Sequence, residues 1–292
     1  MTYEVTHRTS YVYESVVSAS YGVVYLLPRD TSAQRVLDVS VAITPEPDSY
    51  NERTDFFGNR VANFSVLDAH TELTVTTTSV VDVAVRLLPA FGTGPSWESA
   101  VELVRDSDDP DVIDARQFLL ESPSAPTSPA VHAFAADSFV AGRHLIDVLG
   151  DLTARIFRGF EYKAGVTELD TTPDELLELR KGVCQDFAHL QIACLRSFGI
   201  PARYVSGYLE TLPPPGKQRL IGADVSHAWV SAYLPTLGWV DLDPTNNVFV
   251  GERHICTAWG RDYADVSPLR GVIFTEAKTN TMTVSVDVTT VP

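Results

Sequence analysis

Between Cys184 and Phe198 the chain carries Phe187, Ala188, Leu190, Ile192, Ala193, Cys194, Leu195 and Phe198, which point in nearly every direction around a helical axis. A helix apolar on most faces lies inside a protein. Gly199 and Pro201 close it. Upstream, Thr172 and Glu175 have capping-box spacing with Pro173 at the first helical position, so a short helix starts there and ends near Arg180-Lys181-Gly182. Downstream, residues 203–209, 228–234 and 239–242 read as strands, with Pro213-Pro214-Pro215-Gly216 as a rigid loop between the first two. The expected class is α+β, with a cysteine-bearing helix packed on an antiparallel sheet.

Residues 1–88 have a different texture. Tyr3, Val5 and His7 alternate with polar neighbours, and the same alternation recurs from Val36 to Ile43 and from Leu73 to Thr76. The run Val80-Val81-Asp82-Val83-Ala84-Val85 is strongly β-branched. Turn signals at Pro28-Arg29-Asp30, Pro45-Glu46-Pro47-Asp48 and Phe57-Gly58-Asn59-Arg60 separate these runs. This predicts an antiparallel β-sandwich-like N-terminal domain over 1–88. Residues 89–130 read as a connector with short helices at 97–104 and around 111–120, and Ser122-Pro123-Ser124-Ala125-Pro126 cannot be helical. A core spanning 131–292 follows. It opens with a helix over 130–158 in which Gly142 is a candidate break, and ends in an alternating strand over 272–291 with a place in one of the sheets.

The formal net charge is −16, with no basic cluster of the kind that tracks a phosphate backbone, so nucleic acid is not an expected partner. No stretch approaches the ~18 uncharged apolar residues of a membrane span, and no apolar run behind a basic leader marks a signal peptide. Cys184, Cys194 and Cys256 are too few, and odd in number, for a disulfide framework; a cytoplasmic setting is expected. A Gly-rich phosphate loop followed by Lys and Ser/Thr is absent from the sequence, and no cofactor is expected.

In such a setting a cysteine at a helix start bears examination. Cys184 follows Gly182-Val183 at the first turn of the buried helix. The unpaired N–H groups and partial positive charge of a helix N-terminus stabilise a thiolate, and can receive the oxyanion of a tetrahedral intermediate. A buried structural cysteine is the other reading of the same position, and it suits Cys194, in mid-helix, better. His227, in Ser226-His227-Ala228-Trp229, begins a strand and can present its ring as a general base. Asp243 ends the next strand, in Trp239-Val240-Asp241-Leu242-Asp243-Pro244-Thr245-Asn246, where its carboxylate could accept the Nδ1–H of His227. A nucleophile on a helix with base and orienter on successive strands lets one sheet deliver both to one helix end. His189 and Asp186 lie on other parts of the helix, the first read as a packed histidine and the second as a favourable charge near the N-terminus. Tyr162 and Trp229 are readable as cleft walls or as core.

Four segments together resemble bacterial transglutaminase-like proteins. They are Gly182-Val183-Cys184-Gln185-Asp186-Phe187-Ala188-His189-Leu190, Arg196-Ser197-Phe198-Gly199-Ile200-Pro201-Ala202-Arg203-Tyr204-Val205-Ser206-Gly207-Tyr208, and the two motifs around His227 and Asp243. The first ~85 residues, from Tyr3-Glu4-Val5-Thr6-His7 through Asp55-Phe56-Phe57-Gly58-Asn59, resemble the β-rich region that accompanies this core in bacteria. The resemblance implies a papain-like core with Cys184, His227 and Asp243 as a catalytic triad. It also implies thiol acyl chemistry on a peptide or protein substrate, with hydrolysis favoured over transfer to an amine. The animal transglutaminases hold the oxyanion with a tryptophan ahead of the cysteine; the nearest aromatic here is Tyr162. Two other classes compete with thiol catalysis: a metal site, since Cys, His and Asp are zinc ligands, and a peptide-binding module without catalysis. No close ligand pair involves the three residues, so no metal is expected.

Overall fold

The protein is described by a computed structural model covering residues 1–85, 87–88, 90–211 and 226–291. The rigid loop expected at Pro213-Pro214-Pro215-Gly216 lies outside the described residues. The N-terminal sheet is organised around β1 (Thr2–Val24), whose Tyr3, Val5, His7 and Thr9 are buried alternately. On one side of β1 run β4 (Arg60–Val66) and β5 (His70–Val83); on the other run β13 (Leu269–Thr275) and β14 (Asn280–Val291). Outside β5 and β4 lie β2 (Gln34–Thr44) and β3 (Ser49–Thr54).

The ladders lapse at one level across all four ribbons: β1 runs on unbroken but its pairing stops over residues 14–16, and the other three ribbons break at 45–48, 67–69 and 276–279. Pro45 and Pro47 explain one of these breaks, because proline cannot donate to a ladder. The sheet therefore folds across itself. Val41, Ile43, Leu73 and Val75 from one half pack against Val24, Phe64, Val66 and Ile273 from the other. The sandwich character comes from one creased sheet rather than from two, and the strand expected over 272–291 is two strands split at that crease.

The connector contains α1 (Trp97–Asp106), capped by Ser96, and α2 (Pro110–Arg116), capped by Asp109. The single helix expected over 130–158 is two, α3 (Pro129–Ala136) and α4 (Leu145–Gly159), joined by a loop in which Gly142, the candidate break, takes a φ of +73°. Next come β6 (Glu161–Tyr162), α5 (Pro173–Leu179) with its Thr172–Glu175 capping box, β7 (Lys181–Gly182) and α6 (Cys184–Ser197). A second sheet has the order β11-β10-β9-β8-β12, from β8 (Ala202–Leu209), β9 (Ser226–Leu234), β10 (Gly238–Asp243), β11 (Val248–Phe249) and β12 (His254–Gly260). One face buries Ala202, Tyr204, Ala228, Val230 and Leu242 against α6, and Arg196 inside α6 donates to the carbonyls of Phe118, Ala202 and Arg261.

The two sheets join along β12. As an edge strand it exposes unpaired backbone groups. Two amide side chains from the N-terminal sheet satisfy them: Gln34 donates to the Cys256 carbonyl (2.7 Å) and accepts from its N–H (2.8 Å), while Asn59 does the same for Trp259 (2.8 and 2.9 Å). Tyr3, Val5, Val286 and Val288 pack on Tyr208 and Ile255 beside this seam. Asn59 is fully buried, so Asn59→Ala strands a donor and an acceptor of β12. The expected loss is about 1–3 kcal/mol of unfolding free energy, read from denaturant midpoints.

Candidate active site

Cys184 is half-buried at the first position of α6, after an extended Val183. The first N–H groups of a helix have no intrahelical acceptor. Asp186 takes up the Val183 N–H (2.8 Å) and the Thr167 hydroxyl (2.8 Å), which leaves the groups of Cys184 and Gln185 at the helix mouth. Burial raises the Asp186 carboxyl above its ordinary range, opposed by those two donors. A parallel pairing of β6 with β7 sets Tyr162 opposite Gly182. The Tyr162 ring is half-exposed, and burial of part of it together with the charges of Cys184 and Asp186 raises its hydroxyl pKa.

His227 enters on β9 opposite Gly207 of β8. Gly207 is bare because a Cβ there would collide with the Ile255 carbonyl and the Trp229 ring, which lies across it. That buried ring stands 6.2 Å from His227 and 5.3 Å from His254 between centroids. At the end of β10, Asp243 is wholly buried. Its Oδ2 accepts from His227 Nε2 (2.8 Å), His254 Nε2 (3.0 Å) and Asn246 Nδ2 (2.7 Å), and its Oδ1 from the N–H groups of Thr245 (2.9 Å) and Asn246 (3.1 Å). Burial favours the neutral acid, yet the bonds from His227 and His254 with the imidazolium charge hold the carboxyl well below its usual range. An ionised carboxylate only accepts, so both rings carry hydrogen on Nε2.

The structure thus brings Cys184, His227 and Asp243 together. It corrects one detail: Asp243 meets the Nε2 of His227, not the Nδ1, which leaves Nδ1 as the nitrogen available to the thiol. Burial opposes a charge on the His227 ring, but the bond to Asp243, the bond to Cys184 and their charges push its pKa up to about 10. His189 is buried elsewhere on α6, where its Nε2 accepts from the Tyr263 N–H (3.2 Å) and desolvation lowers its pKa to about 4. Cys194 is fully buried, with its thiol directed at the Val131 carbonyl and its pKa raised by burial. Trp229 is core, and Tyr162 is at the rim.

His254 is the member that sequence reasoning missed. It sits on β12, separated from β10 in the sheet by β8 and β9, and no local pattern ties it to Asp243. With His227 and Asp243 it forms a cluster whose ligand atoms lie within 4.8 Å of one another, a donor set a metal could use. As arranged, the Nε2 hydrogens point at the carboxylate and the three groups hold each other.

Two family models match segments of this chain. Residues 3–82 match the bacterial transglutaminase-like N-terminal region, and residues 143–244 match the transglutaminase-like superfamily. Over 98% of this chain and 92% of that protein, the sequence is 44% identical to the uncharacterised protein Rv2569c of Mycobacterium tuberculosis (strain ATCC 25618 / H37Rv). A crystal structure from Cytophaga hutchinsonii, of a protein provisionally assigned as a cysteine protease, superposes with a TM-score of 0.77 at 25% identity, covering 100% of this chain and 92% of that one. A stretch of 90 residues is 38% identical to the protein-glutamine gamma-glutamyltransferase of Pseudomonas aeruginosa, covering 30% of this chain and 14% of that enzyme. The chain belongs to the bacterial transglutaminase-like family, with a mixed α+β fold of the papain-like type.

A histidine whose folded pKa is raised contributes stability that is complete below its unfolded value of ~6.5, and that is lost as pH rises through about 10. The His227 ring proton resonance should therefore stay in its protonated position through neutral pH and move only near pH 10. Asp243→Asn, which removes the charge that raises it, should bring that midpoint down by roughly one to three units, followed by NMR titration.

Proposed function

We propose that the protein is a thiol enzyme acting on peptide or amide bonds, with Cys184 as nucleophile, His227 as base and acid, and Asp243 as orienting carboxylate. The observation that carries this reading is the His227 ring, joined to buried Asp243 through Nε2 and interacting with Cys184 at a helix N-terminus. At neutral pH the thiol proton already resides on His227, and the Cys184 thiolate attacks the substrate carbonyl carbon. The N–H groups at the mouth of α6 hold the oxyanion. As the tetrahedral intermediate collapses, the C–N bond breaks and the imidazolium protonates the departing amine. Water, deprotonated by the now neutral His227, then attacks the thioester and releases the acid, restoring the Cys184 thiolate beside the His227 imidazolium. Asp243 keeps its charge throughout, stabilising the imidazolium present at rest and regenerated when water is deprotonated. Attack by a primary amine at the second step would give transfer instead, the chemistry named for the Pseudomonas aeruginosa relative.

Hydrolysis of a peptide or protein substrate in the cytoplasm is the favoured form of this proposal. Its test is a peptide-library profile scored for cleavage and, in parallel, for incorporation of a fluorescent primary amine. Cys184→Ala should abolish both activity and iodoacetamide labelling while barely moving the thermal midpoint. His227→Ala should lower the rate by roughly a thousandfold or more. Cys194→Ala should spare activity and cost about 1 kcal/mol of stability for a buried small side chain. Full activity in Cys184→Ala protein would eliminate the thiol mechanism, and amine incorporation exceeding cleavage would select transfer.

A further inference from the structure

We infer that His254 is a positioning residue for the thiol site, acting by holding the Asp243 carboxylate that in turn holds His227. The inference rests on the proposed thiol chemistry and adds to it a fourth side chain. His254 and Asp243 are both buried, and their 3.0 Å bond is the one hydrogen bond that the His254 ring makes among the described residues. Its other ring nitrogen, Nδ1, is buried and has no partner among the described residues. Burying an imidazole with one nitrogen unbonded is unfavourable. Filling space on β12 therefore does not account for the choice of residue, since an apolar side chain would fill it without that loss. What a histidine supplies here is a hydrogen-bond donor aimed at Asp243.

The consequences follow from how a carboxylate oxygen is shared. Oδ2 receives three donors, from His227, His254 and Asn246, although an oxygen offers about two lone-pair directions. His254 thus fixes the rotation of the carboxylate and competes with His227 for the same atom. Without it, Oδ2 loses one of the groups that hold it in line with the His227 ring. The His254 ring itself has little freedom. It stands edge-on to Trp229, at 78° between planes, and its strand is tied through Cys256 and Trp259 to Gln34 and Asn59 of the N-terminal sheet. A rigid donor on a separate strand is the kind of supporting group that keeps a reactive ring in one orientation.

The test compares His254→Phe, which keeps an aromatic ring and removes the donor, with His254→Gln, which keeps a donor, in full-length protein with matched thermal midpoints. The probe is iodoacetamide, with Cys184 alkylation followed by peptide mapping at pH 7. The phenylalanine variant should lose roughly tenfold or more of the alkylation rate, and the glutamine variant should restore it to within about threefold of wild type. Equal rates in the phenylalanine variant and wild type, or a glutamine variant as impaired as the phenylalanine one, would overturn the positioning role. If the phenylalanine variant does not fold, nitrogen-15 NMR of the wild-type ring decides: the hydrogen must reside on Nε2, and a ring carrying its only hydrogen on Nδ1 overturns the inference. A wild-type Cys184 no more reactive than a free thiol would instead overturn the thiol reading, and the positioning role with it.

Discussion

One buried carboxylate organises the centre of this molecule. Asp243 is wholly removed from solvent, and an unpaired charge in that position would be prohibitively unfavourable. Five donors compensate it. Three come from the turn that follows β10, where Thr245 and Asn246 fold back on Oδ1 and Asn246 also reaches Oδ2, an Asx-type arrangement. Two come from imidazoles on other strands. The backbone therefore fixes one oxygen, while the other is left to bind His227 and His254. The elevated pKa of His227 is the reciprocal of this arrangement, because the same bond that stabilises the anion stabilises the imidazolium.

Around that carboxylate the fold behaves as one mechanical unit. β12 carries His254, and β12 is an edge strand whose register is held on one side by β8 and on the other by the amides of Gln34 and Asn59. The creased N-terminal sheet thus does more than cover apolar surface. It completes the hydrogen bonding of a strand in the second sheet, close to the site. His7 of β1 bonds the Tyr208 hydroxyl of β8 at 3.2 Å, a second tie across the same seam. Between strands, bare Gly207 admits the Trp229 ring that stands beside both histidines.

Much of this was legible in local chemistry. The capping box at Thr172, the all-round apolar faces of α6 and the β-branched runs each reflect interactions between residues a few positions apart, and these the chain order preserves. Cys184, His227 and Asp243 stood out because each occupies a recognisable end of an element. The crease was less legible: alternation reports that a strand is half-buried, but not whether the sheet bends, so 272–291 read as one strand. The His227 nitrogen that meets Asp243 was misjudged for a related reason. Ring orientation depends on the relative placement of β9 and β10, which spacing along the chain does not specify.

The sequence by itself determined the type of most elements, the buried helix with a cysteine at its head, and the family to which these motifs belong, because periodicity, capping and turn chemistry act over a few residues. Only the tertiary structure decided that β12 lies beyond β8 rather than beside β11, which brings His254 to Asp243. Only it decided that Gln34 and Asn59 stand in for a missing neighbour strand. Those contacts join residues remote in sequence through the closing of a sheet, and a hydrogen bond made that way leaves no period, spacing or composition by which the chain could announce it.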